Sequence, residues 1–219
     1  TRLRCDWSSD VCSSDLESFN DNAKYIRRFI GKEHLDSTEK TILLTPHIGC
    51  WEITGRVIAC DRALTFLYKP LNKSGQDAYL FERRNQGNLT MASADRSGVL
   101  KLQRAMAKGH LIGILPDQDP GKEGGLMAPF FNQSVNTMTL LAKLTKKNNA
   151  KVIILWAKRL DKGRGFDLIA EPIDILSGAK NIFEQVSKMN SAIEALVRQC
   201  PEQYLWSYRR FKSSHSYDE

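Results

Sequence analysis

The stretch LLTPHIGCWEITGR, residues 43–56, sets His47 at the end of an apolar run and Glu52 five residues later. Residues five apart on an ideal helix do not share a face, so the two side chains cannot meet along one helix. They can meet if His47 sits in the loop after a strand and Glu52 in the first turn of the next helix. Gly49 would then supply the bend between them. A carboxylate accepting from one imidazole nitrogen leaves the other nitrogen to take a proton, which is the arrangement of a general base. The helix N-terminus beside it offers unpaired N–H groups to developing negative charge. The same residues also fit a core or capping His next to a Glu that complements the helix dipole. The spacing is not that of H-E-x-x-H and no second His lies nearby, so the segment has no zinc signature.

Two further segments carry chemistry-bearing residues. PDQDPGKEGGLMAPFFN follows an apolar run with Asp117, Gln118 and Asp119. An Asp-x-Asp after a strand resembles the cation-holding carboxylates of metal-dependent glycosyltransferases. It also fits a loop in which Asp117 and Gln118 shape the mouth of a site and Asp119-Pro120-Gly121 forms a turn. The pair Phe130-Phe131 suits core packing, with the lining of an apolar groove as the alternative. YLWSYRRFK, residues 204–212, interleaves aromatics with Arg209, Arg210 and Lys212. That pattern fits single-stranded nucleic acid, phosphate or membrane contacts, or a solvated basic segment.

The elements that must position these residues alternate along the chain. Apolar runs at 41–45, 64–68, 89–92, 111–115, 151–157 and 166–170 read as strands. Helical periodicity marks 17–30, 51–60, 75–85, 99–108, 135–147 and 181–199, with Gly109 and Pro201 as stops. Strands alternating with helices imply an α/β fold with a mainly parallel sheet flanked by helices. Residues 116–132 read as loop.

With 219 residues, 42% of them hydrophobic, the chain can bury one sizeable core. Residues 17–219 are read as a single domain. Residues 1–16, TRLRCDWSSDVCSSDL, repeat SSD and lack periodicity. They resemble a translated adapter more than a native terminus, with a native disordered tail as the alternative. Five cysteines without C-x-x-C spacing point away from a disulfide scaffold or zinc knuckle. The longest apolar runs are too short to span a bilayer. A net charge of +7 favours an acidic partner, whether nucleic acid, anionic membrane or acidic protein.

TPHIGCWE, LPDQDPGKEGGLMAPFF and CPEQYLWSYRRFK occur in that order. Together they resemble the bacterial lipid A biosynthesis acyltransferases, within the wider glycerolipid acyltransferases whose hallmark is His-x4-Asp, with Glu common in the lipid A branch. The resemblance runs from about residue 17 to residue 212, with Cys50 standing where the family commonly has Asn. It implies a glycerolipid-acyltransferase-like fold and O-acyl transfer from an acyl carrier protein thioester to a hydroxyl of a phosphorylated lipid A precursor. It implies His47 as base, Glu52 as the group orienting it, and no metal or cofactor.

The resemblance also places Arg96 at an arginine upstream of the DQD loop. There it would bind a lipid phosphate or the oxyanion, the alternative being an exposed first-turn residue. Asp117, Gln118, Arg209, Arg210 and Lys212 become substrate contacts. The partners implied are the acidic carrier protein, the phosphorylated lipid acceptor and an anionic membrane surface, with no nucleic acid expected. The implied location is the cytoplasmic face of the bacterial inner membrane, peripheral here because the family's N-terminal membrane helix is expected to be missing. The rival readings are a lysophospholipid or aminoacyl-lipid O-acyltransferase and, from another class, a basic nucleic-acid-binding protein. The metal-dependent glycosyltransferase ranks after them.

Overall fold

The computed structural model describes residues 24–70, 74–121 and 124–212. The leader expected over residues 1–16 lies outside them. In chain order the elements are β1 (Ile26–Ile30), β2 (Thr41–Leu44), α1 (Trp51–Asp61), β3 (Leu64–Tyr68), α2 (Ser74–Arg84), β4 (Leu89–Ser93), α3 (Arg96–Ala107) and β5 (Leu111–Ile114). They continue with β6 (Gly125–Phe130), β7 (Gln133–Met138), α4 (Leu140–Asn148), β8 (Lys151–Arg159), β9 (Phe166–Ile173) and α5 (Ile182–Gln199).

A seven-stranded sheet runs in the order β1-β9-β8-β2-β5-β3-β4. Its neighbours are parallel except at β8–β9, so the α/β architecture expected from the alternation is the one observed. The β8–β9 joint is antiparallel because residues 160–165 are too few for a crossover. The central strands β2 and β5 are buried at every position. Covered on both faces, they read as unbroken apolar runs rather than alternating ones.

Successive residues nevertheless feed opposite layers, as the two-residue period of a strand requires. Ile42 and Leu44 of β2 and Ile154 and Trp156 of β8 join one core with side chains of α3, α4 and α5. Leu43, Ile153 and Leu155 join a second core with Ile53, Ile58 and Ala59 of α1. Phe81 of α2 packs against that second core. The sheet is thus covered on both faces.

Three sequence expectations change. Residues 17–30 read as a helix, but within the described part Ile26–Ile30 is a strand paired in parallel with β9. Its Arg27-Arg28 centre gives only a weak local preference, and docking beside β9 decides the outcome. Arg28 is fixed there by an ion pair to Asp167, which is almost fully buried.

The helix expected over 135–147 begins only at Leu140, and the segment assigned to loop contains β6. β6 and β7 form a hairpin turned by Phe131 and Asn132, with φ of 48° and 61°. Both values lie in the left-handed region of a primed two-residue turn. A Phe at its first position conceals the usual Asn-Gly signature.

Candidate active site

The site is built where two neighbouring strands end. β2 and β5 lie side by side and parallel, with Leu44 in register with Ile114. His47 and Asp117 each stand three residues beyond those partners, so the register that pairs the strands also brings the two side chains together. This is the carboxyl edge of the sheet, where open α/β folds bind ligands.

His47 Nδ1 lies 2.7 Å from Asp117 Oδ1, and the His47 backbone N–H donates to Asp117 Oδ2 at 2.8 Å. One carboxylate therefore fixes both the ring and the backbone carrying it. Asp117 is 2% exposed. Burial pushes its carboxyl up, but the charge and hydrogen bonds of His47 outweigh that and hold it below the usual carboxylate range. As an ionised acceptor it requires a proton on Nδ1, leaving the lone pair on Nε2. Nε2 is 3.2 Å from the Gln118 side-chain nitrogen, which donates to it. The ring also meets Trp51 edge-on, with centroids 5.2 Å apart.

The loop carrying His47 is held from behind. The His47 carbonyl accepts from Leu205 N–H at 3.0 Å, Gly49 N–H donates to the Gln203 carbonyl and Cys50 N–H to the Ala157 carbonyl, both at 2.9 Å. Gly49 has φ of 61°, and a Cβ there would sit 2.0 Å from the Ala157 carbonyl oxygen. The bend and the close approach both require glycine. Tyr204 is buried behind Asp117, and burial, then the nearby Asp117 charge, push its hydroxyl far up and keep it protonated.

Glu52 is in the first turn of α1, as its position in the sequence suggested, but its carboxylate turns to a different partner. Arg84, in the last turn of α2, grips it with two nitrogens, Nε at 3.1 Å from Oε2 and Nη2 on Oε1. The expected His47–Glu52 contact is therefore replaced by His47–Asp117. A carboxylate starting α1 is drawn to the guanidinium that α2 brings beside it, while the buried Asp117 is already in register with the ring.

These groups face a cavity of about 400 Å³. Its lining includes the polar residues His47, Glu52, Arg56, Lys69, Arg84 and Gln118 and the apolar residues Phe66, Leu67, Met91, Val99, Leu115 and Leu140. A ring held at Nδ1 by a carboxylate, on a residue that lines a cavity, has the geometry of a general base.

The model of the bacterial lipid A biosynthesis acyltransferases matches residues 13–213. That match covers most of the chain. It belongs to this family. The chain is 26% identical over 196 residues to the lipid A biosynthesis palmitoleoyltransferase of Escherichia coli K12, covering 86% of this chain and 63% of the relative. It is 26% identical over 189 residues to the lauroyltransferase of the same organism, covering 84% and 61%. It is also 26% identical over 183 residues to a lipid A biosynthesis acyltransferase of Haemophilus influenzae, covering 81% and 57%. The chain thus spans less than two-thirds of the length of these relatives.

Within this acyltransferase-family chain the other residues singled out from the sequence divide sharply. Gln118 lines the cavity, and Asp117 lies behind the ring rather than at the mouth. The two Asp-x-Asp carboxylates do different work. Asp119 accepts from Gly121 N–H at 2.8 Å and Asn136 Nδ2 at 2.9 Å, the expected turn tied down to β7.

Arg210 is not presented to a ligand. It is 3% exposed, and its guanidinium donates to the Asn136 carbonyl at 2.6 Å and Thr137 Oγ1 at 2.7 Å. The backbone of β7 needs a donor there, and the side chain is spent binding the C-terminal segment to the hairpin. Lys212 Nζ approaches Asp119 Oδ2 at 3.7 Å. Arg96 opens α3 and is exposed, as is Arg209, and neither lines the cavity. The arginines that do line it, Arg56 and Arg84, were legible only as members of a basic composition, because partner and wall are set by how α1 and α2 dock.

Among the described residues no helix is long and apolar enough to cross a membrane.

Proposed function

We propose that the protein transfers a fatty acyl chain from an acyl carrier protein thioester to a hydroxyl group of a lipid A precursor, with His47 as the general base. The observation that carries this reading is the ring of His47, fixed at Nδ1 by a buried carboxylate on a residue that lines a cavity together with many apolar side chains. The incoming hydroxyl displaces the Gln118 amide from Nε2 and gives its proton to that nitrogen. The alkoxide oxygen attacks the thioester carbonyl. Gln118, 3.2 Å from Nε2, would donate to the resulting oxyanion. Collapse of the tetrahedral adduct breaks the C–S bond, and the departing thiolate takes the proton from the imidazolium, giving an ester and a free thiol. Asp117 stabilises the imidazolium and orients the ring, the role the sequence suggested for Glu52. Glu52 instead holds Arg84 at the cavity wall.

The positive charge of the chain fits an acidic carrier protein and the anionic lipids of the cytoplasmic face of the inner membrane. The test is to incubate the chain with lipid A precursor and carrier-linked fatty acids of several lengths, followed by mass spectrometry. Acylated precursor should appear, and His47→Ala should lower its rate by about 10²- to 10⁴-fold while the fold is kept. Unchanged turnover by folded His47→Ala removes the general base. Acylation of a lysophospholipid in preference to the precursor moves the reading to the neighbouring class of acceptor.

A further inference from the structure

The cavity has a second polar wall that proton transfer at His47 does not use. Arg56 lies one helical turn beyond Glu52 on α1, lines the cavity and is 7% exposed. Its Nη2 donates to the Arg83 carbonyl at 3.3 Å, and its buried Nε has no hydrogen-bond partner. A guanidinium carries five N–H donors and keeps its charge under all ordinary conditions, so burying it with its Nε–H unpaired is costly.

The nearby acid does not relieve this. Glu52 is already gripped at both oxygens by Arg84, so one carboxylate serves two guanidinium groups. Lys69, just after β3, is exposed and adds a third cation to the cavity lining. The remaining acids lining the cavity are engaged elsewhere: Asp95 caps α3 by accepting from Gly98 N–H at 2.9 Å, and Asp119 is bound by Gly121 and Asn136. Burial, with Arg84 and Arg83 adding repulsion, weakens the hold of Arg56 on its charge more than Glu52 restores it.

We propose that Arg56, with Lys69 and Arg84, forms a phosphate-binding subsite on the α1–α2 side of the cavity that holds a phosphoryl group of a substrate while its reacting end lies at His47. Planar guanidinium forks match phosphate oxygens in pairs, and the ammonium of the exposed Lys69 adds a point charge. Identifying the occupant as a substrate group rests on the acyl-transfer reading above; binding of phosphate does not. The phosphoryl group could be a monoester on the acceptor or the diester in the prosthetic arm of the carrier-linked donor, and the chemistry recognised is the same.

The first experiment needs no turnover. Inorganic phosphate is titrated calorimetrically against the wild-type chain, Arg56→Met, Lys69→Ala and His47→Ala at constant ionic strength. Wild type and His47→Ala should bind alike, Arg56→Met at least tenfold more weakly, and Lys69→Ala a few-fold more weakly. Without phosphate, Arg56→Met should melt no lower than wild type, since the change removes an under-neutralised buried charge. Should Arg56→Met fail to fold, the exposed Lys69→Ala carries the same test. Phosphate affinity unchanged in every folded variant overturns the subsite.

The second experiment compares KM in wild type and Lys69→Ala for phosphorylated and dephosphorylated acceptor, and for donor with and without the arm's phosphodiester. A rise confined to one phosphorylated substrate identifies the source, and no rise for either overturns the subsite as a substrate site. Loss of phosphate binding in Arg56→Met without acyl transfer by the wild type would sink the transfer reading and leave the subsite standing.

Discussion

Asp117→Asn is the most informative single change, because it replaces one atom in a carboxylate that fixes two groups at once. The carboxylate now accepts from the His47 ring at 2.7 Å and from the His47 backbone N–H at 2.8 Å. An asparagine has one acceptor oxygen. If that oxygen keeps the backbone bond, its NH₂ group faces Nδ1, and the ring must move its proton to Nε2. The lone pair then points at the amide, and no base faces the cavity. If the oxygen keeps the ring, the backbone loses its acceptor and the loop shifts.

In serine proteases the equivalent change in the orienting acid costs about 10⁴-fold in turnover, or about 5.5 kcal/mol in the barrier. A drop of roughly 10³- to 10⁴-fold in kcat is expected here by the same logic. One charge-assisted bond out of two is lost, about 1.5–3 kcal/mol of stability. For a chain of this size that lowers Tm by roughly 3–12 °C.

The assay pairs acyl-transfer kinetics with thermal melting and ¹⁵N chemical shifts of the His47 ring. Asp117→Asn should move the neutral ring to the Nε2–H tautomer, while Glu52→Gln, whose partner is Arg84, should leave the Nδ1–H tautomer in place. Turnover within tenfold of wild type in Asp117→Asn, or a tautomer switch in Glu52→Gln instead, would refute the assignment of Asp117 as the orienting acid.

Three other outcomes follow from the same geometry. Gly49→Ala must place a Cβ 2.0 Å from the Ala157 carbonyl oxygen at a φ of 61°, so soluble yield and Tm should both collapse even though no reacting group is altered. Arg210→Met should lower stability by about 3 kcal/mol or more, in denaturant melts, because it orphans the Asn136 carbonyl and Thr137 hydroxyl it now serves; a change in acceptor KM without loss of stability would restore the substrate role first expected of it. The folded-state pKa of Asp117 is depressed, so its stabilisation is complete above about pH 3.9, its ordinary unfolded value, and is lost as pH falls through the lower folded value. Urea midpoints of wild type should therefore fall more steeply than those of Asp117→Asn as pH is lowered from about 4 towards 2.

The parallel α/β architecture was legible because β2, β5 and β8 lie in the middle of the sheet, where both faces are covered and short apolar runs record it. β3 was read from residue 64 to residue 68, its observed bounds, and α1 and α5 within a residue or so, since their apolar positions repeat at the helical period. β1 and the β6–β7 hairpin were missed for a shared reason. Their residues have weak local preferences, and pairing with distant strand edges or a turn at Phe131-Asn132 fixes their conformation.

His47 was legible as a candidate base because its type and its place after a strand are local facts. The acid that orients it was not, since a neighbour five residues away and a residue seventy positions away are equally good carboxylates on paper. Parallel pairing of β2 with β5 puts Asp117, not Glu52, at the ring, and docking of α2 against the cavity gives Glu52 to Arg84. Amino-acid order determined which chemical groups the protein owns. Only the register between strands and the docking of helices, both set by burial over long sequence separations, decided which of them touch.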